Sequence, residues 1–207
     1  MAYSKYKRLV QLREILQIED RTLSWISTHL PRVEPSDYLM ETLLDAQYEF
    51  LRSEKAKSEY IIAPILKELR KKNSPNIKTF SGLELDIDKS LALSGFCDFI
   101  VSGESQRTDI SAPIICLVEA KKDDIDGGIA QCGAEMYAAQ IFNAREGNPR
   151  ETLYGCVTNA FSWCFLKLNN NTLYIDPNYV PLTFTEPHRV LATLQWILDE
   201  ALGEKKS

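Results

Sequence analysis

Glu119 and Lys121 stand two residues apart at the end of Pro113-Ile-Ile-Cys-Leu-Val-Glu-Ala-Lys-Lys122, a run of apolar, β-favouring residues that stops abruptly in charge. Side chains alternate faces along a strand. Glu119 and Lys121 are therefore expected on one face, in line with Ile115 and Leu117, with Ala120 on the other. Upstream, Gly95-Phe-Cys-Asp-Phe-Ile-Val101 is a second apolar run with a single acid, Asp98, at its middle. An unpaired charge inside such a strand is costly, and a cation shared with Glu119 would offset that cost. Two carboxylates and an amine at a strand end would make a paired, charged site around a shared cation.

Each residue also has a plainer reading. Glu119 and Lys121 could form a structural ion pair, and Asp98 could be a turn or capping acid. Glu59, just after a possible Ser58 cap, suits a helix N-terminus in its own right, and Gln131 suits a first helical turn. Asp123, Asp124 and Asp126 read as turn and capping residues rather than ligands. His29 precedes Leu-Pro and His188 follows Pro187, neither near a nucleophile. Gly127-Gly128 lacks the lysine and spacing of a phosphate-cradling loop. Tyr154, Trp163 and Phe165 could stack bases, but as strand residues they read as core.

The elements that must position the charged set follow from periodicity and breakers. Residues 3 to 30 read as helical with an interruption near Glu19-Asp20, and Ser36-Asp37 caps a second helix with Leu39, Leu43, Leu44, Tyr48 and Leu51 on one stripe. These N-terminal helices form an extension over 1-57, suited to covering or dimerisation. A further helix follows Ser58, with Pro64 demanding a kink or a later start. Three strands come next, at about 78 to 86, 92 to 102 and 113 to 121; the polar stretch Ser102 to Ala112 is a projecting loop. A long helix runs through about Asn143, then a short strand from Leu153 to Thr158, a hairpin around Asn169-Asn-Asn171, and a closing helix from Pro187 to Leu202. The expected fold class is α/β (α+β), a mixed sheet flanked by helices over 58-207.

Composition sets the outer bounds. The 207 residues are 44% hydrophobic and 26% charged, enough for one packed domain with a helical addition. No run reaches the roughly 20 apolar residues of a membrane span, and the N-terminus has no secretory core, so a cytoplasmic location and no membrane partner are expected. The five cysteines form no Cys-x-x-Cys pair and read as buried reduced thiols. A net charge of -5 argues against a basic coat that grips nucleic acid indiscriminately. The charge is uneven: residues 1 to 80 carry 14 Lys/Arg against 11 Asp/Glu, and Lys67, Arg70, Lys71, Lys72 and Lys78 cluster after Tyr60. That cluster reads as a solvated helix face.

Asp98 in one strand, Glu119-Ala-Lys121 at the end of the next, and the order helix, three strands, helix, strand resemble the PD-(D/E)XK nuclease superfamily of restriction endonuclease-like and RecB-like nucleases. The resemblance spans about residues 58 to 160. More narrowly, Ile61-Ile-Ala-Pro-Ile-Leu66, Cys97-Asp-Phe-Ile, Val118-Glu-Ala-Lys-Lys-Asp and Gln131-Cys look like small stand-alone bacterial members. The resemblance implies a restriction endonuclease-like core and Mg²⁺, with Mn²⁺ as a substitute, ligated by Asp98, Glu119 and the Ala120 carbonyl. It further implies Lys121 positioning the attacking water, Glu59 as an additional ligand or orienter, and Gln131 at the start of the following helix. The implied activity is hydrolysis of phosphodiester bonds in nucleic acid, DNA foremost, with a homodimer through the N-terminal helices or a partner protein for target recognition. The alternative from another class is a catalytically silent assembly module on the same fold. Cys97 stands where the namesake proline would be. Glu135 stands where RecB-like proteins carry a tyrosine, with Tyr137 two residues further on.

Overall fold

Every residue of the strand Ile114–Ala120 is buried, and the rest of the molecule is layered on its two faces. The computed structural model describes residues 3–103 and 108–203. Its strands are β1 (Glu19–Thr22), β2 (Lys78–Glu84), β3 (Phe96–Ser102), β4 (Ile114–Ala120), β5 (Thr152–Thr158), β6 (Ser162–Asn169), β7 (Thr172–Ile175) and β8 (Val180–Pro181). Its helices are α1 (Leu9–Leu16), α2 (Asp37–Ala46), α3 (Glu54–Lys57), α4 (Ala63–Lys72), α5 (Asp126–Arg145) and α6 (His188–Gly203). They build a mixed α/β fold around one eight-stranded sheet in the order β1-β7-β6-β5-β4-β3-β2, with β8 on β6. β2, β3 and β4 are antiparallel, whereas β4 and β5 run parallel. A parallel pair cannot be closed by a hairpin, and α5 is the crossover that joins it.

One face of the sheet is covered by α2, α4 and α6 through Leu39, Leu43, Ile65, Leu69, Leu191 and Leu198. The other is covered by α5 and the N-terminal segment through Tyr3, Tyr6, Leu12, Ala134 and Met136. Two core layers around one sheet bury nearly all the aliphatic side chains the periodicity nominated. Tyr154, Trp163 and Phe165 are core residues, and the five cysteines are buried and unpaired. Among the described residues no helix is long and apolar enough to cross a membrane.

The N-terminal expectations need correction. The helix stops at Leu16 because Gln17 takes a left-handed conformation, φ 59°, and donates its N–H to the Leu12 carbonyl. Glu19–Thr22 then joins the sheet edge as β1, parallel to β7. Leu23 and Ile26 are therefore not on a helix, and Glu19–Thr22 is a strand of the sheet. In α2, Leu39 and Leu43 are buried as expected, but Leu44 and Tyr48 are exposed.

Two local features bear on the site. Ser53, not Ser58, caps the helical run, accepting the Ala56 N–H at 3.0 Å. Residues Ser58–Ile62 form a π-helical turn between α3 and α4, and Pro64 sits in the first turn of α4. The wider turn supplies the disruption that Pro64 demands. In β4, Val101 faces Cys116 while Ser102 faces Ile114, leaving Ile115 as the extra residue of a bulge. Ile115 consequently joins the opposite core layer from Leu117, against the expectation from strict alternation. The expected projecting loop falls partly on residues 104–107, outside the described residues; its base is tied by Gly103 N–H to the Pro113 carbonyl at 2.8 Å.

Candidate active site

The ladder between β3 and β4 ends at the pair Phe99 and Val118. Asp98, one residue beyond it, uses its carboxylate in place of the backbone: Oδ2 accepts the Ala120 N–H at 2.8 Å. On its other edge β4 stays paired to β5 as far as Ala120 and Thr158, and the Lys121 N–H donates to the Thr158 carbonyl at 2.8 Å. The end of β4 is thus held by backbone on one side and by a carboxylate on the other. This construction brings Asp98 beside the Glu119–Lys121 pair.

Lys121 Nζ donates to Glu119 Oε1 and, at 3.1 Å, to Gln131 Oε1. Gln131 Nε2 donates onward to Glu135 Oε1 at 3.1 Å. Asp124 Oδ1 accepts the Gly127 N–H at 2.9 Å, fixing the turn that delivers Gln131 to this point. Gly128 makes the approach possible: a Cβ there would lie 2.6 Å from Val157 Cγ1 and 2.9 Å from Lys121 Cε. Asp98, Glu119, Lys121 and Gln131 are therefore brought together.

Glu59 is not among them. Its Oε1 is paired with Lys55 Nζ at 2.6 Å on the exposed side of the helix, and Glu54 is the acid of that helical run that lines the cleft with Lys121. The π-helical turn changes the phase of the helix, so the acid selected by spacing faces solvent. Lys57, although buried, reaches the Lys122 carbonyl and Asp123 Oδ1, pinning α3 to the turn after β4. Asp123 and Asp124 act as turn residues, and Asp126 accepts the Tyr179 hydroxyl. His29 is exposed beside Thr28, and His188 opens α6 opposite Glu34 at 3.3 Å.

The residue that spacing missed is Glu135, fully buried on α5. It lies one helical turn after Gln131, so the pair shares a face. That interval was the available signal, masked by the apolar residues around it. Glu119 Oε2 and Glu135 Oε2 are buried with no donor from the rest of the protein, and the two carboxyls lie close enough to share a proton. Burial first, and the Asp98 charge next, push the Glu119 carboxyl up to about 7, against the pull of Lys121. Burial and then the Glu119 charge raise Glu135 well above the carboxylate range. Burial also raises Asp98, opposed by the Ala120 N–H. For Lys121, burial works against the charge, but Glu119 more than compensates and its proton is held more tightly than usual.

Three acids and one amine thus share a partly dry corner in which Lys121 and protonation of the buried carboxyls offset the negative charge. Among the described residues no three His, Cys, Asp or Glu side chains are grouped so as to enclose a metal ion. The fit to a divalent ion rests instead on Asp98 and Glu119, whose second oxygen no donor from the rest of the protein reaches. Hard carboxylate oxygens of this kind suit Mg²⁺ or Mn²⁺, which keep several waters and need few protein ligands. A cleft of about 480 Å³ opens beside the site, lined by Tyr6, Lys7, Glu54, Lys121, Lys122 and Gln131 among others. No family model and no curated protein matches this chain.

Proposed function

We propose that this protein is a divalent-metal-dependent phosphodiesterase acting on nucleic acid, with DNA as its substrate, built on a restriction endonuclease-like core of the PD-(D/E)XK type. The observation that carries the reading is the convergence of Asp98, Glu119 and Lys121 at the end of a fully buried strand, with Glu119 crowded against a second buried acid, Glu135. Buried acids crowded together are expensive, and such groups persist where a function requires them. The element order α4, β2, β3, β4, α5, β5 also supports it.

Asp98, Glu119 and the Ala120 carbonyl would hold the ion. Bound there, Mg²⁺ or Mn²⁺ would supply charge stabilisation at the scissile phosphate and activate the attacking water. Lys121, held by Glu119 and Gln131, places an ammonium at the mouth of the cleft, where it can orient that water and offset charge developing on the phosphate. Gln131 keeps the amine from collapsing wholly onto Glu119, since its carbonyl competes for the same Nζ. Glu54 borders the same cleft and is the acid from the preceding helical run in position to orient water.

The test is incubation of purified protein with supercoiled plasmid and labelled oligonucleotides in Mg²⁺, Mn²⁺ or EDTA. Metal-dependent nicking that is lost in both Asp98→Ala and Lys121→Ala is expected. Cleavage that survives in both variants would exclude this site. Calorimetric titration with Mn²⁺ reads the metal directly: no binding to the unsubstituted protein would leave the fold as an assembly module.

A further inference from the structure

The N-terminal segment is fastened beside the cleft by its tyrosines. The Tyr3 hydroxyl donates to the Leu85 carbonyl at 2.6 Å, its N–H donates to the Ser94 carbonyl at 3.2 Å, and the Tyr6 hydroxyl reaches the Leu91 carbonyl. Both rings are buried. Gln11 then fixes the turn between them and α1: its Oε1 accepts the N–H groups of Lys7 and Arg8 at 2.8 and 2.9 Å, and its Nε2 donates to the Lys5 carbonyl at 3.0 Å. The tyrosines face in, so Lys5, Lys7 and Arg8 between and after them face out, and all three are exposed. Lys7 lines the cleft, as do Lys121 and Lys122.

These cations are unspent. Among the described residues none of Lys5, Lys7, Arg8 and Lys122 takes part in an ion pair, and the first turn of α1 contains no acid. Helix starts ordinarily gather acids, because the N-terminal end of the helix dipole is positive. Packing three cations there raises a local positive potential in a chain whose net charge is -5. The acids of the cleft are each committed locally, Asp123 to Lys57 at 3.3 Å and Asp124 to the Gly127 N–H, while Glu54 acts on Asp98 and Lys121; Lys7 and Lys122 are left without an ion-pair partner among the described residues. The basic cluster of α4 is different. Lys67 and Lys71 lie 5.1 and 4.6 Å from the centre of the Tyr38 ring, and Lys72 pairs with Glu68 at 3.5 Å.

We propose that the N-terminal segment is the strand clamp of this protein: Lys7 and, across the cleft, Lys122 hold the backbone phosphate next to the one presented to Asp98, Glu119 and Lys121. The inference rests on the nuclease reading for the identity of the strand, and on the cleft for its placement. Lysine suits the role as a point charge on a phosphate whose orientation can vary along a flexible strand. It also explains how an acidic chain can engage nucleic acid, since the attraction is confined to one cleft rather than spread over the surface.

The experiment measures binding of fluorescein-labelled single-stranded and duplex DNA to the Asp98→Ala protein in EDTA, by anisotropy over a salt series. Lys7→Glu is expected to weaken binding about tenfold and to lower the slope of log affinity against log salt by about 0.7 to 0.9 for each phosphate no longer neutralised. Lys122→Ala should weaken it by a smaller factor, while Lys71→Glu, on the far basic cluster, should leave it unchanged. In the otherwise unsubstituted enzyme, Lys7→Glu should raise KM by a similar factor, with kcat held within about twofold. Lys7 and Lys122 variants that bind as the parent does would overturn the clamp, as would an equal loss from Lys71→Glu; metal-dependent cleavage could still stand in either case. Lys7-dependent binding by a protein that never cleaves would remove the nuclease reading and keep the clamp. Absence of any DNA binding would overturn the clamp, and the nuclease reading would then be decided by the metal-dependent cleavage assay.

Discussion

The two ends of β4 make opposite use of the same helix. At its start, Asn143 of α5 is fully buried and fully paired: its Oδ1 accepts the Ile114 N–H at 2.7 Å and its Nδ2 donates to the Ile114 carbonyl at 2.8 Å. At its finish, Glu135 of the same helix and Glu119 of the same strand are buried with an oxygen each that no donor of the rest of the protein reaches, so they depend on a proton shared between them. Both ends carry buried polar side chains, so burial does not separate them; satisfaction does. A paired buried amide locks two elements together, whereas a buried carboxyl without such partners marks a place where the fold has given up stability that a ligand can return.

Substitutions at the two ends should therefore separate activity from stability. The largest effect is expected at the unsatisfied end, where Asp98→Ala or Lys121→Ala should reduce metal-dependent DNA cleavage by a factor on the order of 10³ or more, measured as plasmid nicking rates. Asp98→Ala also strands the buried Ala120 N–H and should lower the thermal midpoint, whereas Lys121→Ala should change it little by comparison. Asn143→Ala should do the reverse. It strands two buried backbone groups and is expected to cost about 2 to 4 kcal/mol in urea unfolding, while leaving the cleavage rate of the folded fraction intact. If Asn143→Ala lowered the rate of fully folded enzyme as much as Lys121→Ala, the contrast between the ends would fail.

A pH series sharpens the same comparison. Glu119 is raised to about 7 by burial and the Asp98 charge, and Glu135 is raised too. A carboxyl whose folded pKa lies above its unfolded value binds more protons in the native state. Its contribution is complete below about pH 4.3 and is lost as the pH rises through about 7. Without metal, stability should fall across that window by on the order of 4 kcal/mol, and saturating Mn²⁺ should flatten the slope by replacing the proton. Glu135→Gln, which keeps the shape but cannot ionise, should remove part of the slope. Denaturation curves at five or six pH values, with and without metal, would decide it, and a slope unaffected by both changes would count against the site.

The smallest effect expected is that of Gly128→Ala. The added Cβ would crowd Val157 Cγ1 and Lys121 Cε, so the ammonium should shift by a fraction of an ångström and kcat should fall about tenfold with metal affinity retained. An unchanged kcat would show that the position of Lys121 tolerates more slack than the packing suggests.

Some of this was legible in residue order. An apolar, β-favouring run followed by charge marks β4 and places Glu119 and Lys121 on one side of it, because the period of a strand is a local property of the backbone. The Asp124 turn, the long α5 and the hairpin at Asn169–Asn171 follow from equally local chemistry: a capping acid, a helical run stopped by Gly147, and a turn at Asn170 with φ 49°. Other features were decided by tertiary contacts. β1 is Glu-Asp-Arg-Thr, with no apolar alternation, and is a strand only because the open edge of β7 supplies its hydrogen bonds. The bulge at Ile115 depends on how β3 meets β4, and the exchange of Glu59 for Glu54 at the cleft depends on a π-helical turn.

By itself, then, the sequence determined the strand that ends in charge, the residues that flank it and the face they share, since each is fixed by interactions a few residues long. Tertiary structure alone decided which acids meet there. Whether Asp98 reaches Ala120, whether Glu135 is buried against Glu119 and whether Lys7 enters the cleft depend on packing between segments tens of residues apart, where the energy of burial outweighs any local preference.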